Sequence, residues 1–189
     1  MSPTQAIKAA FVIVLASFLI SCGGKDTVRV KSDLHIKGAP DWVNKGTQAL
    51  KDKSGQRFYG VGFAPDLGDI SLQKSTADNR ARAEVARILS SYMDIVSNDF
   101  VSSSGTENEK INEQKVSREI KNLTEMNLAG VRIIGRWRNK KDLMMYSLAE
   151  LDMKHVKQVV NTYRTMNEDF RGYMDRNADT TFDKVSEGQ

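Results

Sequence analysis

Cysteine and histidine are almost absent from this chain. Its 189 residues hold one cysteine, Cys22, and two histidines, His35 and His155. A single thiol cannot close a disulfide within the chain, so the fold must rest on burial of apolar side chains. No Cys/His cluster has metal-ligand spacing, and His155 reads as a surface or interface residue rather than a ligand. Blocks of one charge are missing as well. Lys and Arg number 28 against 24 Asp and Glu, a net charge of +4, and the two signs are interspersed. Binding to nucleic acid asks for a clustered basic face, so the composition speaks against it.

Catalytic patterns are equally scarce. Ser102-Ser103-Ser104 has no base nearby and none of the glycines of a nucleophile elbow. Asp66 and Asp69 flank Gly68 without the ligand series and closing glutamate of a calcium loop. Gly60-Val61-Gly62 lacks the third glycine of a phosphate-binding turn and is soon followed by Pro65. Two glycines in a strand point instead to the close approach of a neighbouring backbone. With no convergent nucleophile, base or metal set, the chain reads as a non-enzyme without a cofactor.

What is present starts with an apolar run from Ala9 to Ile20, interrupted only by Ser17, preceded by Lys8 and followed by Ser21-Cys22-Gly23-Gly24. Twelve residues fall short of the roughly 20 that span a bilayer as a helix, which suits the core of a cleaved leader. Leu19-Ile20-Ser21-Cys22 resembles the lipobox of bacterial lipoproteins. That chemistry needs a thiolate at Cys22 to take a diacylglyceryl group and a small residue, Ser21, on the other side of the cut. Modification would also explain a lone thiol in an exported chain. Gly23, in place of the aspartate that retains such proteins at the inner membrane of enteric bacteria, points to the outer membrane. Cutting after Ser21 takes 21 residues from 189 and leaves 168, enough for one domain. Losing Lys8 lowers the net charge from +4 to +3.

The expected organisation is a leader at 1–21, a lipidated tether at 22–39, a domain at 40–176 and a loose polar tail at 177–189. In the tether, Val28, Val30, Leu34 and Ile36 alternate in part like a short strand. Residues 41–50 suit a short helix, and Arg57–Phe63 a strand. Ala77, Ala81, Val85, Ile88 and Leu89 recur at helical spacing, with Arg80, Glu84 and Arg87 on the wet side. From Tyr92 to Ser103 the signal is mixed, and its Ser, Asn and Asp content favours a long strand. Glu109–Asn127 returns to helix through Val116, Ile120 and Leu123. Val131–Arg138 and Leu143–Leu151 form a hairpin around Asn139-Lys140-Lys141-Asp142. Asp152 is placed to cap a long final helix, Met153–Arg176, with a stripe of Val156, Val160, Tyr163, Phe170 and Met174. The predicted class is one α+β domain, an antiparallel sheet packed by helices in the order β-α-β-α-β-β-α.

Pro40-x-Trp42, Tyr59-Gly60-Val61-Gly62, Ala77-x3-Ala81-Arg82-Ala83-Glu84-x-Ala86 and the hairpin with Trp137 and Tyr146-Ser147-Leu148-Ala149 together resemble the Lpp-twenty family of outer-membrane lipoproteins, which includes flagellar basal-disc proteins. The resemblance covers roughly residues 40–151. It implies a core similar in part to the dodecin fold, with Trp42, Tyr59, Val61, Val85 and Ile88 as packing residues and no catalytic residues. The implied role is structural or protein-interacting in the cell envelope, with the domain facing the periplasm and associating with itself, an envelope partner or the flagellum. An exposed Val156–Tyr163–Phe170 stripe would favour that role. Arg132, Arg136 and Arg138, with Trp137 and the turn lysines, form a candidate interaction surface for lipid head groups, glycan or an acidic partner. The alternative is a binding module for a small or lipidic ligand, its pocket lined by Met93, Met144, Met145 and Trp137.

Overall fold

Asp69 starts the longest element of the molecule. In a computed structural model that describes residues 34–50, 56–103, 113–164 and 166–187, its carboxylate accepts the Ser71 and Leu72 amides at 2.7 and 3.1 Å. Those are donors that a helix start leaves without an intrahelical partner. Helix α2 then runs from Ile70 to Ser103. Before it come a short helix α1 (Asp41–Lys45), a 3-10 turn (Gly46–Ala49) and strand β1 (Arg57–Ala64). After it come α3 (Glu113–Leu128), β2 (Arg132–Arg138), β3 (Met145–Asp152), α4 (Met153–Thr162) and α5 (Glu168–Glu187). The class is α+β, with one three-stranded antiparallel sheet in the order β1-β3-β2.

The strand expected at 92–103 is helix instead. Leu89, Tyr92, Met93, Val96 and Phe100 are all buried, continuing the stripe that begins at Ala77, while Ile95 is exposed. A spacing of four from Tyr92 to Val96 to Phe100 outweighs the polar residues between them, which simply face water. The β-α-β-α-β-β-α order therefore loses its second strand.

The long final helix is two helices. Tyr163 turns extended after α4, and Asn167 caps α5 by accepting the Asp169 and Phe170 amides at 2.8 and 3.1 Å. Asp152 caps α4 as its sequence predicts, accepting the Lys154 amide at 2.8 Å. The segment expected to be a loose tail is helical as far as Glu187, with Ala178, Thr181 and Phe182 buried. Phe182 meets Phe58 of β1 edge to face, ring centres 4.9 Å apart. An aromatic pair of this geometry adds about 1 kcal/mol beyond its buried area.

The two halves of α2 have different neighbours. Its first half lies across the sheet, where Gly60 and Gly62 let it come close. A Cβ on Gly60 would fall against the Ala81 carbonyl and 2.8 Å from the Val85 amide. One on Gly62 would strike the Ala81 amide and lie 2.5 Å from the Ala77 carbonyl. The glycine pair is thus a packing device, as the strand reading predicts. The second half of α2 shares the main core with Ile120 and Leu123 of α3, Val156 and Val160 of α4, and Phe170 and Met174 of α5. Tyr92 donates to the Ala178 carbonyl at 3.1 Å, and burial, with Asp179 nearby, pushes its phenol well above the ordinary value.

Candidate interaction surface

The strip predicted at Arg132, Arg136 and Arg138 is divided between the two faces of the sheet. β2 is out of step with β3 between Ile133 and Gly135, a bulge that changes which face each side chain occupies. Before the bulge, Arg132 pairs with Glu150 and so faces away from α2. Beyond it, Arg136 lies opposite Ser147 and faces α2, whereas Trp137 lies opposite Tyr146 on the outer face.

Each arginine is also matched inside the chain. Arg136 clamps Asp78 of α2 with two hydrogen bonds of 2.8 and 2.7 Å, and Ser147 donates to the same carboxylate at 2.7 Å. Asp78 is buried at 7% exposure, so this pairing determines its charge state. Burial alone would raise its carboxyl pKa. The hydrogen bonds from Arg136 and Ser147, with the charges of Arg136 and Arg82, more than reverse that, and the group lies below the ordinary carboxylate range. Arg132 binds Glu150 at 2.7 Å, with Arg57 on the other side of that carboxylate at 3.8 Å. Arg138 approaches Asp66 at 3.5 Å and donates to the Leu143 carbonyl at 3.1 Å. These contacts tie β2 to the rest of the fold and use up most of the strip's charge. The acidic partners, 18 to 72 positions away in sequence, were the part that sequence reasoning missed.

Trp137 is half-buried and tilts against Tyr146, with ring centres 5.7 Å apart. Trp42 covers the same face beside Gly135 and Leu148. Its helix is held in place by Asn44, which accepts the Ile36 amide at 3.0 Å and donates to the Ile36 carbonyl at 3.2 Å. Leu34 and Ile36 lie in irregular chain rather than in a strand. Ser21, Cys22, Val28 and Val30 lie outside the described residues.

The residues expected to line a ligand pocket are not brought together. Met93 belongs to the main core, Met145 packs with Ala64 and Ala77 in a separate small cluster, and Trp137 is on the opposite face of the sheet. The Val156–Tyr163–Phe170 stripe is not an exposed contact surface either, because Val156 and Phe170 are fully buried in the main core and Tyr163, partly buried, packs against it. A hollow of about 300 Å³ lies between the end of α2 and the start of α5, lined by Phe100, Glu168, Asp169, Tyr173 and Arg176. It is open and mostly polar, unlike a small-ligand site. Among the described residues no group of three or more His, Cys, Asp or Glu could hold a metal ion, and no helix is long and apolar enough to cross a membrane.

No protein-family model matches the chain, and no curated protein matches it.

Proposed function

We propose that this chain is a bacterial lipoprotein, cleaved before Cys22, held in the outer membrane by acyl chains on that residue, and serving a structural or protein-interaction role in the envelope. The observation that carries the reading is Cys22 itself, the single thiol, directly after a twelve-residue apolar run and the small residue Ser21. One acyl chain gives marginal attachment, whereas two or more make it stable. The likeness to the dodecin fold and to the Lpp-twenty family rests on the sequence motifs, and a three-stranded antiparallel sheet with the first half of α2 laid on it is compatible with it, although α3 intervenes between α2 and β2. The chemistry that dominates the described domain is packing and internal ion pairing, which suits a structural part better than a catalyst.

Mass spectrometry of the mature protein from native membranes tests the proposal. The expected N-terminal peptide starts at residue 22 and carries a thioether-linked diacylglyceryl group with an N-acyl chain. A bare thiol at Cys22, or a leader still attached, overturns it.

A further inference from the structure

Among the described residues, five of the nine exposed large apolar side chains fall at one end of the sheet: Phe63, Leu67, Ile70, Leu72 and Leu143. The first four belong to the passage from β1 into α2, and the fifth to the β2–β3 turn. Gln73 joins the two segments by donating to the carbonyls of Ala64, Pro65 and Leu143 at 3.2, 2.9 and 2.7 Å. Fully buried, it holds both loops as one rigid tip. Leu143 keeps a positive φ of 58° there, an uncommon conformation for leucine.

The charges around this tip are asymmetric. Its acids are all engaged locally: Asp66 with the Gly68 amide and Arg138, Asp69 with the start of α2, and Asp142 with the Met144 amide. The exposed ammonium groups of Lys74, Lys140 and Lys141 have no acidic partner among the described residues. Apolar side chains ringed by free cations match the boundary between acyl chains and anionic head groups, where each basic residue near the surface adds to the attraction. The twelve residues from Cys22 to Leu34 reach at most about 40 Å, which leaves the domain room to turn on its tether close to the bilayer.

We infer that the tip formed by residues 63–72 and 139–143 docks on an anionic phospholipid surface and sets the orientation of the domain. This rests on the anchoring reading for the bilayer's proximity, not for the docking chemistry. Hydrogen exchange on the full-length mature protein tests it, with vesicles of phosphatidylethanolamine alone or mixed with phosphatidylglycerol. Mixed vesicles are expected to slow exchange of peptides covering 66–72 and 140–143 by a factor on the order of five, while a peptide around Ile95, roughly 37 Å further along α2, stays unchanged. Lys140→Glu with Lys141→Glu, or Leu67→Asp with Ile70→Asp, should remove the effect. All four positions are exposed, so these variants keep the core. Equal exchange with and without phosphatidylglycerol overturns the inference, as does protection in vesicle-free buffer that grows with protein concentration, the signature of contact between copies. The mass of residue 22, read from the same sample, separates failure of the anchor from failure of the tip.

Discussion

Along its first half α2 meets a sheet through glycine and alanine, while along its second half it meets helices through Tyr92, Met93, Val96 and Phe100. In the first region the backbones themselves are in contact, and the buried carboxylate between the layers, Asp78, is matched by Arg136 and Ser147. In the second region large side chains fill the space between the axes. Backbone cannot yield, whereas side chains repack. The two regions should therefore fail differently: the sheet half by added volume, the helical half by lost volume.

The most damaging change should be the smallest one. Gly62→Ala adds a single methyl group, but the obstacles are the main-chain atoms of Ala77 and Ala81. We expect a loss of about 4 kcal/mol, read as a lower urea midpoint, because α2 must lift from the sheet to make room. A midpoint unchanged within error would show that the helix can shift, and the contrast between the halves would disappear. In the helical half, Leu123→Ala deletes three carbons from a fully buried side chain. The cost there should be about 3 kcal/mol, since helices close part of the cavity.

Asp78 sharpens the comparison by adding charge to shape. Asp78→Asn leaves Arg136 without its anionic partner. Because the guanidinium is partly exposed, the loss should stay near 2 kcal/mol, below the range for a fully buried pair. The wild-type carboxyl is held below its unfolded value, so it contributes stability above the ordinary carboxylate pKa of about 4. That contribution fades as pH falls through the lower folded value. Thermal melts from pH 6 down to pH 2 should therefore drop more steeply for the wild type than for Asp78→Asn. Parallel curves would mean that the Asp78 pair is not what acid disrupts.

The sheet half was largely legible in the sequence. Gly60 and Gly62 within a strand and two alanines four apart on a helix each have one local meaning and agree with the structure, and the hairpin is present, although a bulge breaks its alternation between Ile133 and Gly135. The helical half was read less well. Tyr92–Ser103 satisfies both periods, and only the continuity of its stripe with Val85 and Leu89 decides for helix. The break after Thr162 left its trace in the step of seven from Tyr163 to Phe170 and in Asn167-Glu168-Asp169, a capping residue followed by two acids, which suits a helix start. The candidate strip at Arg132–Arg138 was visible as charge, but its division was not. A bulge leaves no mark in composition, and the partners Asp66, Asp78 and Glu150 are brought in by tertiary structure.

A second glycine-to-alanine change completes the contrast with the opposite sign. Gly172 is in the interior of α5, where a Cβ would meet only Nη1 of Arg176, at 3.3 Å. That atom ends a long side chain and can swing aside. Glycine in a helix costs about 0.8 kcal/mol relative to alanine through the freedom it loses on folding, so Gly172→Ala should raise stability by roughly that amount. The same methyl group thus destabilises where its neighbour is main chain and stabilises where its neighbour is a mobile tip. If Gly172→Ala lowered the melting temperature instead, α5 would be packed as rigidly near Arg176 as β1 is against α2, and flexible side chains would not be what separates the two halves.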